Sequence, residues 1–440
     1  MSSPRLPDMT HRVAGLRRGA TPVVPPNNAL LPGFRSSKNQ FPEQRSNVVE
    51  RSQFVKAGSR QYEVIMTQNG LEACSEWILR SIGAESALIV TTPTVAELYA
   101  GQLFACLQSK GASVEIMTIN CTEASKGLDQ VTRVCQRAAE FGLGRKGLLI
   151  GVGGGVCTDI VTVAASWIRR GIGYIRVPTT LIGQIDAGIG IKGAVNFQRK
   201  KSYLGCFFAP RAVVITPSFL ATLPHRHLRE GFAEMIKIAI VRDAALFELI
   251  ELCGSELLED GFQKGHSKQN EVIWRSIAGM LAELEPNIFE DQTYERLVDF
   301  GHTFSPALES ISNFEITHGE AVSIDIAVST ALGHAMTFID DQTSHRILSS
   351  LITMDLPIWS CRLELDVCRR ALADCSLHRG GKPNLVVPAD IGHAKFLTDE
   401  QTIVDRLGDA LKFLEHLSSK IGGTSVPHCE NSGCLSELAS

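Results

Sequence analysis

The sequence predicts an α/β domain with a mostly parallel sheet, followed by a second domain that is mainly α-helical. Between residues 61 and 215, short β-rich runs alternate with helix-like segments, as in a sheet whose strands are joined by helices. From about Ser218, successive segments carry apolar residues at three- and four-residue spacing, which is typical of packed helices. We expect the active site in the cleft between the two domains.

The elements follow from these patterns in chain order. Strands are predicted at Tyr62–Met66, Ala87–Val90, Val114–Ile119, Gly147–Val152, Tyr174–Val177 and Val213–Ile215. Helices are predicted at Val95–Ser109 and Leu128–Phe141, and in the second domain at Arg226–Cys253, Asn270–Glu285, Gly319–Met336 and Ser344–Met354.

Both ends of the chain differ from the rest. Residues 1–58 hold seven of the 18 prolines and nine Lys or Arg against three Asp or Glu, without an apolar period. They predict a disordered basic arm. An organelle transit peptide is the less favoured alternative, because Asp8 and the prolines disfavour an amphipathic helix. Residues 418–440 predict a disordered tail, so the two domains are expected at 59–217 and 218–417.

Composition narrows the function classes. The chain has 440 residues, 44% apolar and 20% charged, which suits two globular domains. A net charge of −4 gives no polycation signature for nucleic acid. The most apolar long stretch, residues 147–168, is interrupted by Asp159 and by three consecutive glycines and does not predict a membrane span. We therefore expect a cytoplasmic protein with neither nucleic acid nor membrane as a partner.

A glycine-rich run, residues 151–159, follows a predicted strand and opens a predicted helix. Glycines at such a turn let the backbone approach a pyrophosphate, whose charge is favoured by free N–H groups at the helix start. The run lacks the last glycine of G-x-G-x-x-G, because Val156 stands there, so a tight structural turn remains the alternative to nucleotide binding.

Polar residues cluster again between Pro178 and Lys201. The cluster holds two threonines, a carboxylate and several lysines, at Thr179, Thr180, Asp186, Lys192, Asn196, Lys200 and Lys201. Hydroxyl, carboxylate and ammonium groups at a strand end suit a polyhydroxylated, phosphorylated ligand. The alternative is a solvated loop with ordinary surface lysines.

A third set of residues can ligate a metal ion. Glu234 lies early in a helical pattern, His302 lies in Gly-His-Thr-Phe, and His318 begins the next helix. Two imidazoles and one carboxylate make a three-ligand divalent site with open positions for substrate oxygens. Histidines that only cap helices or lie on the surface are the alternative.

Together the three clusters resemble the sugar phosphate cyclases, the superfamily that includes 3-dehydroquinate synthase. The resemblance runs from about Ile65 to Leu397. Its ordered motifs are Gly-Gly-Gly-Val, Pro-Thr-Thr-Leu, Ile-Lys-Gly-Ala-Val-Asn, Lys-Ser-Tyr-Leu-Gly, Ala-Glu-Met-Ile-Lys, Gly-His-Thr-Phe and His-Gly-Glu-Ala-Val. It implies a Rossmann-like NAD domain and an α-helical domain that binds a sugar phosphate and a catalytic divalent metal, zinc or cobalt.

The resemblance also implies site residues. Metal ligands fall on Glu234, His302 and His318, and Arg170 would reach the neighbouring subunit's substrate in a homodimer. Catalytic roles are implied for Lys192, Lys201, Asp299 and His378. Cofactor contacts fall on Glu123, Lys126, Gly154, Gly155, Asp159, Thr179, Thr180, Asp186, Lys192, Lys201, Phe219 and Thr222.

Departures from 3-dehydroquinate synthase point to another branch. Ser305-Pro306 replaces a Gly-His, Lys201-Ser202 a Lys-Asn, Asp299 an Asn, and residues 378–381 a lysine-rich turn. These changes resemble the 2-epi-5-epi-valiolone synthases, which cyclise sedoheptulose 7-phosphate with loss of phosphate while NAD is reduced and reoxidised. Alternatives are the desmethyl-4-deoxygadusol synthases, 3-dehydroquinate synthase itself and, in a different class, glycerol-dehydrogenase-like oxidoreductases. The negative charge of Asp299 predicts rejection of the carboxylate substrate of dehydroquinate synthase.

Overall fold

The computed structural model describes residues 51–421, apart from residues 59, 69, 83–85, 199 and 265. The predicted arm up to residue 50 and the predicted tail from residue 422 lie outside the described residues. The strands are β1 (Arg51–Ala57), β2 (Arg60–Met66), β3 (Ala87–Thr91), β4 (Val114–Thr118), β5 (Leu148–Gly153), β6 (Gly173–Pro178), β7 (Lys192–Phe197), β8 (Lys200–Phe207), β9 (Ala212–Ile215), β10 (Leu385–Asp390) and β11 (His393–Leu397).

The helices alternate with the strands at first and then follow one another. They are α1 (Gly70–Ile82), α2 (Pro93–Val95), α3 (Gly101–Ser109), α4 (Leu128–Glu140), α5 (Gly155–Trp167), α6 (His225–Arg242), α7 (Ala244–Glu259), α8 (His266–Leu284), α9 (Ser305–Ile311), α10 (His318–Ala335), α11 (Asp341–Thr353), α12 (Leu365–His378) and α13 (Glu400–Ile421). A π-helical turn, Ala96–Ala100, joins α2 to α3. None of the described helices is long and apolar enough to cross a membrane.

One seven-stranded sheet organises the first half, in the order β1-β2-β9-β6-β5-β3-β4. All neighbours are parallel except β1 and β2, so the predicted mostly parallel sheet is confirmed. Ile89 of β3 belongs to the same core cluster as Leu103 of α3, whereas Val90 shares the opposite cluster with Val131 of α4. Helices thus cover both faces, which explains why the central strands are continuous apolar runs.

The second half is mainly helical, as predicted, and α10 is buried along most of its length. The single helix predicted over residues 226–253 is wrong, because the chain breaks at Asp243. The Asp243 side chain accepts a hydrogen bond from the backbone N–H of Leu246 at 3.0 Å and so caps the start of α7.

The predicted disordered ends were drawn too far into the chain. Strand β1 falls inside the predicted arm, buries Val55 and Ala57, and ties Arg51 to Glu271 at 2.8 Å. Helix α13 runs on to Ile421 and buries Ser418. The prediction of disorder is therefore wrong for residues 51–57 and 418–421. The few side chains that these segments bury contact parts of the chain that are distant in sequence, so no local pattern marks them.

Sequence reasoning also missed two antiparallel hairpins, β7–β8 and β10–β11. The first places part of the predicted polar loop on a strand pair. The proposed division at residue 217 stays a prediction; the last strand of the large sheet ends at Ile215, and α6 begins at His225.

Candidate active site

Three predicted ligands meet between α6, the turn before α9, and the first turn of α10. Nε2 of His318 lies 3.2 Å from Oε1 of Glu234, and Nε2 of His302 lies 3.7 Å from the same oxygen. Their ligand atoms all lie within 4.8 Å of one another. Tetrahedral bonds of about 2.1 Å place ligand atoms about 3.4 Å apart, so the spacing fits a zinc-sized ion.

Local structure explains how the histidines are presented. Gly301 has φ of +74°, a conformation that L side chains rarely adopt, and it turns the chain just before His302. After His302, the Asp325 carboxylate accepts the backbone N–H groups of residues 303, 304 and 305 at 2.5 to 2.9 Å. Thr317 and Glu320 form a capping box around the start of α10, which holds His318 in its first turn.

The Glu234 carboxylate lies fully buried, and neither oxygen accepts a well-formed hydrogen bond from a described residue. The ammonium of Lys237 approaches it to 2.5 Å and also contacts Asp186 at 2.9 Å. Burial raises the pKa of Glu234, but Lys237 and the two histidines outweigh it and hold that pKa well below its usual range. Such an ionised, undersatisfied carboxylate is suited to a divalent cation.

The two histidines differ in their surroundings. Burial and then the charge of Lys237 lower the pKa of His302 to about 4, so His302 is neutral and can ligate a metal at neutral pH. Burial also lowers the pKa of His318, but Glu309 and Glu234 outweigh it and raise that pKa to about 9. At neutral pH His318 therefore carries a proton on both ring nitrogens, and Nε2 would have to lose its proton to ligate a metal.

A cavity of about 150 Å³ opens beside this trio. Its apolar wall comes from Met280, Leu284 and Ile288. Its polar wall comes from Asp186, Lys192, Lys237, Arg296, Asp299 and His302. Carboxylates and cations around a small space next to a metal site suit a hydroxylated anionic substrate.

Two arginines flank Asp299, which corrects the charge argument from the sequence. Arg296 forms a close ion pair with Asp299, and Nε of Arg379 lies 3.4 Å from its other oxygen. Burial raises the pKa of Asp299, yet the two guanidinium groups outweigh it and keep that pKa low. Asp299 is therefore ionised but compensated, and simple like-charge repulsion of a substrate carboxylate is wrong.

His378, predicted to be catalytic, ends α12 with an exposed side chain. It does not line the cavity. The neighbouring Arg379 turns inward instead, donating to Thr303 Oγ1 at 3.3 Å as well as contacting Asp299. The structure thus brings Arg379, and not His378, into contact with Asp299, which lines the cavity.

Both predicted lysines belong to the β7–β8 hairpin and are paired. Lys192 forms an ion pair with Glu290, and Lys201 forms one with the buried Glu309. The side chain of Lys192 is 53% exposed and that of Lys201 is 30% exposed, so each remains accessible to a substrate from the solvent side. The buried Arg176 donates to the backbone oxygen of Lys192 at 2.5 Å and so anchors the start of the hairpin.

The predicted cofactor residues form two groups around the sheet's carboxyl edge. Nζ of Lys126 lies 2.6 Å from Asp159, and Glu123 accepts from the Asn196 side chain at 3.0 Å. A Cβ on Gly154 would lie 3.0 Å from Thr180, so this turn requires close backbone approach. Those glycines fit a dinucleotide cradle at the start of α5.

The second group lies at the end of β9. Tyr99 donates to the backbone oxygen of Phe219 at 3.1 Å and shares a hydrogen bond of 2.6 Å with the Thr222 hydroxyl. Asp186, predicted among the cofactor contacts, instead lines the cavity and contacts Lys237. Gly155 and Thr179 lie beside the cradle, at the start of α5 and just after β6.

Sequence reasoning missed several residues around the cavity. Lys237 lay within a motif that was singled out, three residues after Glu234, so helical spacing was an available signal. Arg296 stands three residues before Asp299 and carried the same kind of signal. Glu290, Glu309 and Arg379 find their partners through tertiary structure, and no local pattern marked them.

Comparison with known families matches this geometry to a known architecture. Residues 116–230 match the family model described as 3-dehydroquinate synthase N-terminal, and residues 231–374 match the model 3-dehydroquinate synthase C-terminal. The chain belongs to the 3-dehydroquinate synthase family. The predicted superfamily is therefore confirmed.

Individual members of the family are similar to this chain over most of its length. A 2-epi-5-epi-valiolone synthase from Streptomyces hygroscopicus subsp. jinggangensis is 42% identical over 317 residues, which is 71% of this chain and 76% of the relative. A demethyl-4-deoxygadusol synthase from Trichormus variabilis is 35% identical over 323 residues, 72% of this chain and 78% of the relative.

Among solved structures, a 2-epi-5-epi-valiolone synthase from Streptomyces hygroscopicus subsp. jinggangensis 5008, with NAD+ and Zn2+ bound, is similar with a TM-score of 0.76. It is 38% identical, and the match covers 82% of this chain and 99% of that chain.

Proposed function

We propose that this chain is a 2-epi-5-epi-valiolone synthase, a sugar phosphate cyclase that closes sedoheptulose 7-phosphate into a cyclitol with loss of phosphate. The observation that carries the proposal is the Glu234, His302 and His318 trio beside a charged cavity, in a chain 42% identical to a relative of that name. The relative named demethyl-4-deoxygadusol synthase is less similar, at 35%.

NAD and a divalent metal, zinc or cobalt, are the cofactors. When bound, the metal would polarise a hydroxyl oxygen of the substrate, and NAD would reversibly accept hydride from the carbon that bears that oxygen. Glu234, His302 and His318 would hold the metal. The Gly154 turn, with Lys126 and Asp159, would hold the dinucleotide. The unsatisfied oxygens of Glu234 and the tight approach of Gly154 to Thr180 support both assignments.

The remaining residues bind and orient the substrate. Each ammonium has three donors, so Lys192 and Lys201 can bind the substrate phosphate while they stay paired with their carboxylates, and can stabilise its charge as it leaves by β-elimination. Asp299, held between two guanidinium groups, has a fixed orientation and can accept a hydroxyl of the seven-carbon sugar. This pairing also occupies both arginines, so a substrate carboxylate would find no unpaired guanidinium there.

We also propose a homodimer in which Arg170 contacts the substrate phosphate of the neighbouring subunit. Arg169 and Arg170 have φ of +55° and +66°, a strained conformation for residues with side chains. Arg170 is exposed and contacts no carboxylate of the described residues. An exposed, unpaired guanidinium on a strained turn supports a role in phosphate binding across subunits.

Product analysis tests the proposal. The purified chain with NAD+, Zn2+ and sedoheptulose 7-phosphate should release inorganic phosphate and form 2-epi-5-epi-valiolone, identified by mass spectrometry and NMR. Glu234→Gln is the matched control, because it keeps the shape of a ligand but removes its charge. Formation of desmethyl-4-deoxygadusol from this substrate would make the branch assignment wrong, as would turnover of the carboxylate-bearing substrate of dehydroquinate synthase at a comparable rate in a parallel reaction.

The same reaction discriminates a dehydrogenase. A cyclase recycles its cofactor, so NADH absorbance should not rise with turnover. An oxidoreductase of the glycerol-dehydrogenase type would accumulate one NADH for each substrate molecule consumed. Net NADH formation without phosphate release would overturn the proposed function.

A further inference from the structure

Glu309, on α9, contacts two functional groups at once with its two carboxylate oxygens. Oε1 lies 3.0 Å from Nδ1 of His318, and Oε2 forms a close ion pair with Nζ of Lys201. The Glu309 side chain is only 3% exposed, so water can contribute few hydrogen bonds to its carboxylate. A buried carboxylate with both oxygens engaged is held in one orientation.

The contact with His318 determines which ring nitrogen can ligate a metal. In the neutral ring that can ligate a metal, a carboxylate acceptor at Nδ1 keeps the remaining proton on that nitrogen and leaves the lone pair of Nε2 for the metal. Nε2 is the atom that lies 3.2 Å from Glu234. Glu309 therefore presents the ligand atom of His318 towards the proposed metal position.

The contact with Lys201 reaches the other half of the chain. Lys201 lies on β8, 108 residues before Glu309, and its side chain is 30% exposed. Without Glu309, this long side chain would sample several rotamers in solvent. Glu309 instead holds the ammonium on the same carboxylate that orients a metal ligand.

We propose that Glu309 is a positioning residue that fixes both the ligand tautomer of His318 and the location of Lys201, coupling the metal site to phosphate binding. The inference rests on the proposed function for the role of Lys201, but its metal half does not require it. Metal held by His318 keeps Glu309 in place, and Glu309 keeps Lys201 beside the site.

Two substitutions separate the two contacts. In Glu309→Gln, the amide oxygen can still accept from His318, whereas the amide no longer attracts Lys201. In Glu309→Ala both contacts are lost. Glu290→Gln is the matched control, because Glu290 also pairs with a hairpin lysine, Lys192, but touches none of the proposed ligands.

Zinc affinity, measured by competition with a chromophoric chelator on the purified full chain, is the first readout. We expect Glu309→Ala to weaken zinc binding about 10- to 100-fold, as losses of such carboxylate–histidine contacts do. Glu309→Gln should lose less than about tenfold, and Glu290→Gln should not change zinc affinity. Zinc affinity of Glu309→Ala within twofold of the wild type would overturn the inference.

Kinetics at saturating zinc give the second readout. Glu309→Gln should raise KM for the sugar phosphate, and Lys201→Met should do the same. The double variant should show no further rise in KM, because both substitutions break one contact. Additive effects on KM would refute the coupling. Urea unfolding in the presence of chelator confirms that each variant folds.

The two proposals fail in different ways. If zinc binding by the wild type is weakened in Glu309→Ala but the wild type forms no cyclitol, the proposed function is wrong. The inference that Glu309 positions His318 for metal binding then still holds. If the wild type makes the cyclitol while Glu309→Ala binds zinc normally, only the inference is wrong.

Discussion

Lys237 is the cation that neutralises the metal-free site, and its replacement by methionine measures that role. The Lys237 side chain is 2% exposed and lies 2.9 Å from Asp186 and 2.5 Å from Glu234. Burial lowers the pKa of Lys237, but the two carboxylates outweigh it and raise the pKa above its usual range, so the side chain is charged. Lys237→Met removes this charge while keeping most of the side-chain volume.

Removing one partner of a buried ion pair leaves uncompensated charge and costs about 3–5 kcal/mol. We therefore expect the unfolding free energy of chelator-treated Lys237→Met to fall by about that amount, as measured by urea denaturation followed by circular dichroism. Zinc at 100 times its Kd stabilises a binding-competent protein by about 2.7 kcal/mol. In the variant, Glu234 and Asp186 lack the charge of Lys237, so a bound cation should stabilise it more than it stabilises the wild type. Zinc should therefore reduce the difference in unfolding free energy between the two proteins.

A matched control is available at the dinucleotide site. Lys126 is also buried and lies 2.6 Å from Asp159, away from the metal trio. Lys126→Met should also be less stable than the wild type, but zinc should not change the difference in unfolding free energy between them. Adding Asp186→Asn to Lys237→Met should restore part of the lost stability, since it removes one uncompensated carboxylate. If metal-free Lys237→Met is within about 1 kcal/mol of the wild type, the assigned charge balance is wrong.

Three other changes test the site and the fold. His318→Ala should lose bound zinc and turnover while retaining NAD, and normal metal content by elemental analysis would refute the ligand assignment. Deletion of residues 1–50 should leave turnover and melting temperature unchanged, whereas deletion of residues 1–57 should destabilise by about 2 kcal/mol or more through loss of buried Val55. Asp299→Asn should remove the carboxylate charge beside Arg379 and Arg296, although Arg296 stays paired with Glu290. The carboxylate substrate of dehydroquinate synthase should then inhibit about tenfold more strongly; an unchanged inhibition constant would contradict this role.

Local sequence was sufficient wherever a function depends on neighbours in the chain. The glycine turn could be predicted because a strand, a run of glycines and a helix follow one another within a few residues. The proposed metal ligands Glu234 and His318 lie in short motifs on helices, and His302 lies in a Gly-His-Thr-Phe turn; these motifs suggested a metal site, and the family resemblance implied the ligand set. The parallel sheet was evident from its continuous apolar strands, which require cover on both faces.

Tertiary structure decided how charges are paired, because those partners are far apart in sequence. Nothing near Glu309 in the chain indicates that it meets Lys201, 108 residues earlier, and His318 at the same carboxylate. Arg379, one of the two arginines that compensate Asp299, likewise comes from a distant segment, the turn after α12, whereas Arg296 is a local partner three residues away.

The same distinction explains the errors at individual residues. His378 and Arg379 are adjacent in sequence, yet only packing at the end of α12 determines which of them contacts Asp299 and Thr303. Strand β1 has a mostly polar sequence. It is ordered because its backbone pairs with β2 and because Arg51 forms an ion pair with Glu271 on α8. Sequence alone thus determined the chemical groups and the change from alternating strands and helices to successive helices. Long-range packing decided which charges are neutralised, because burial and distance together set that balance.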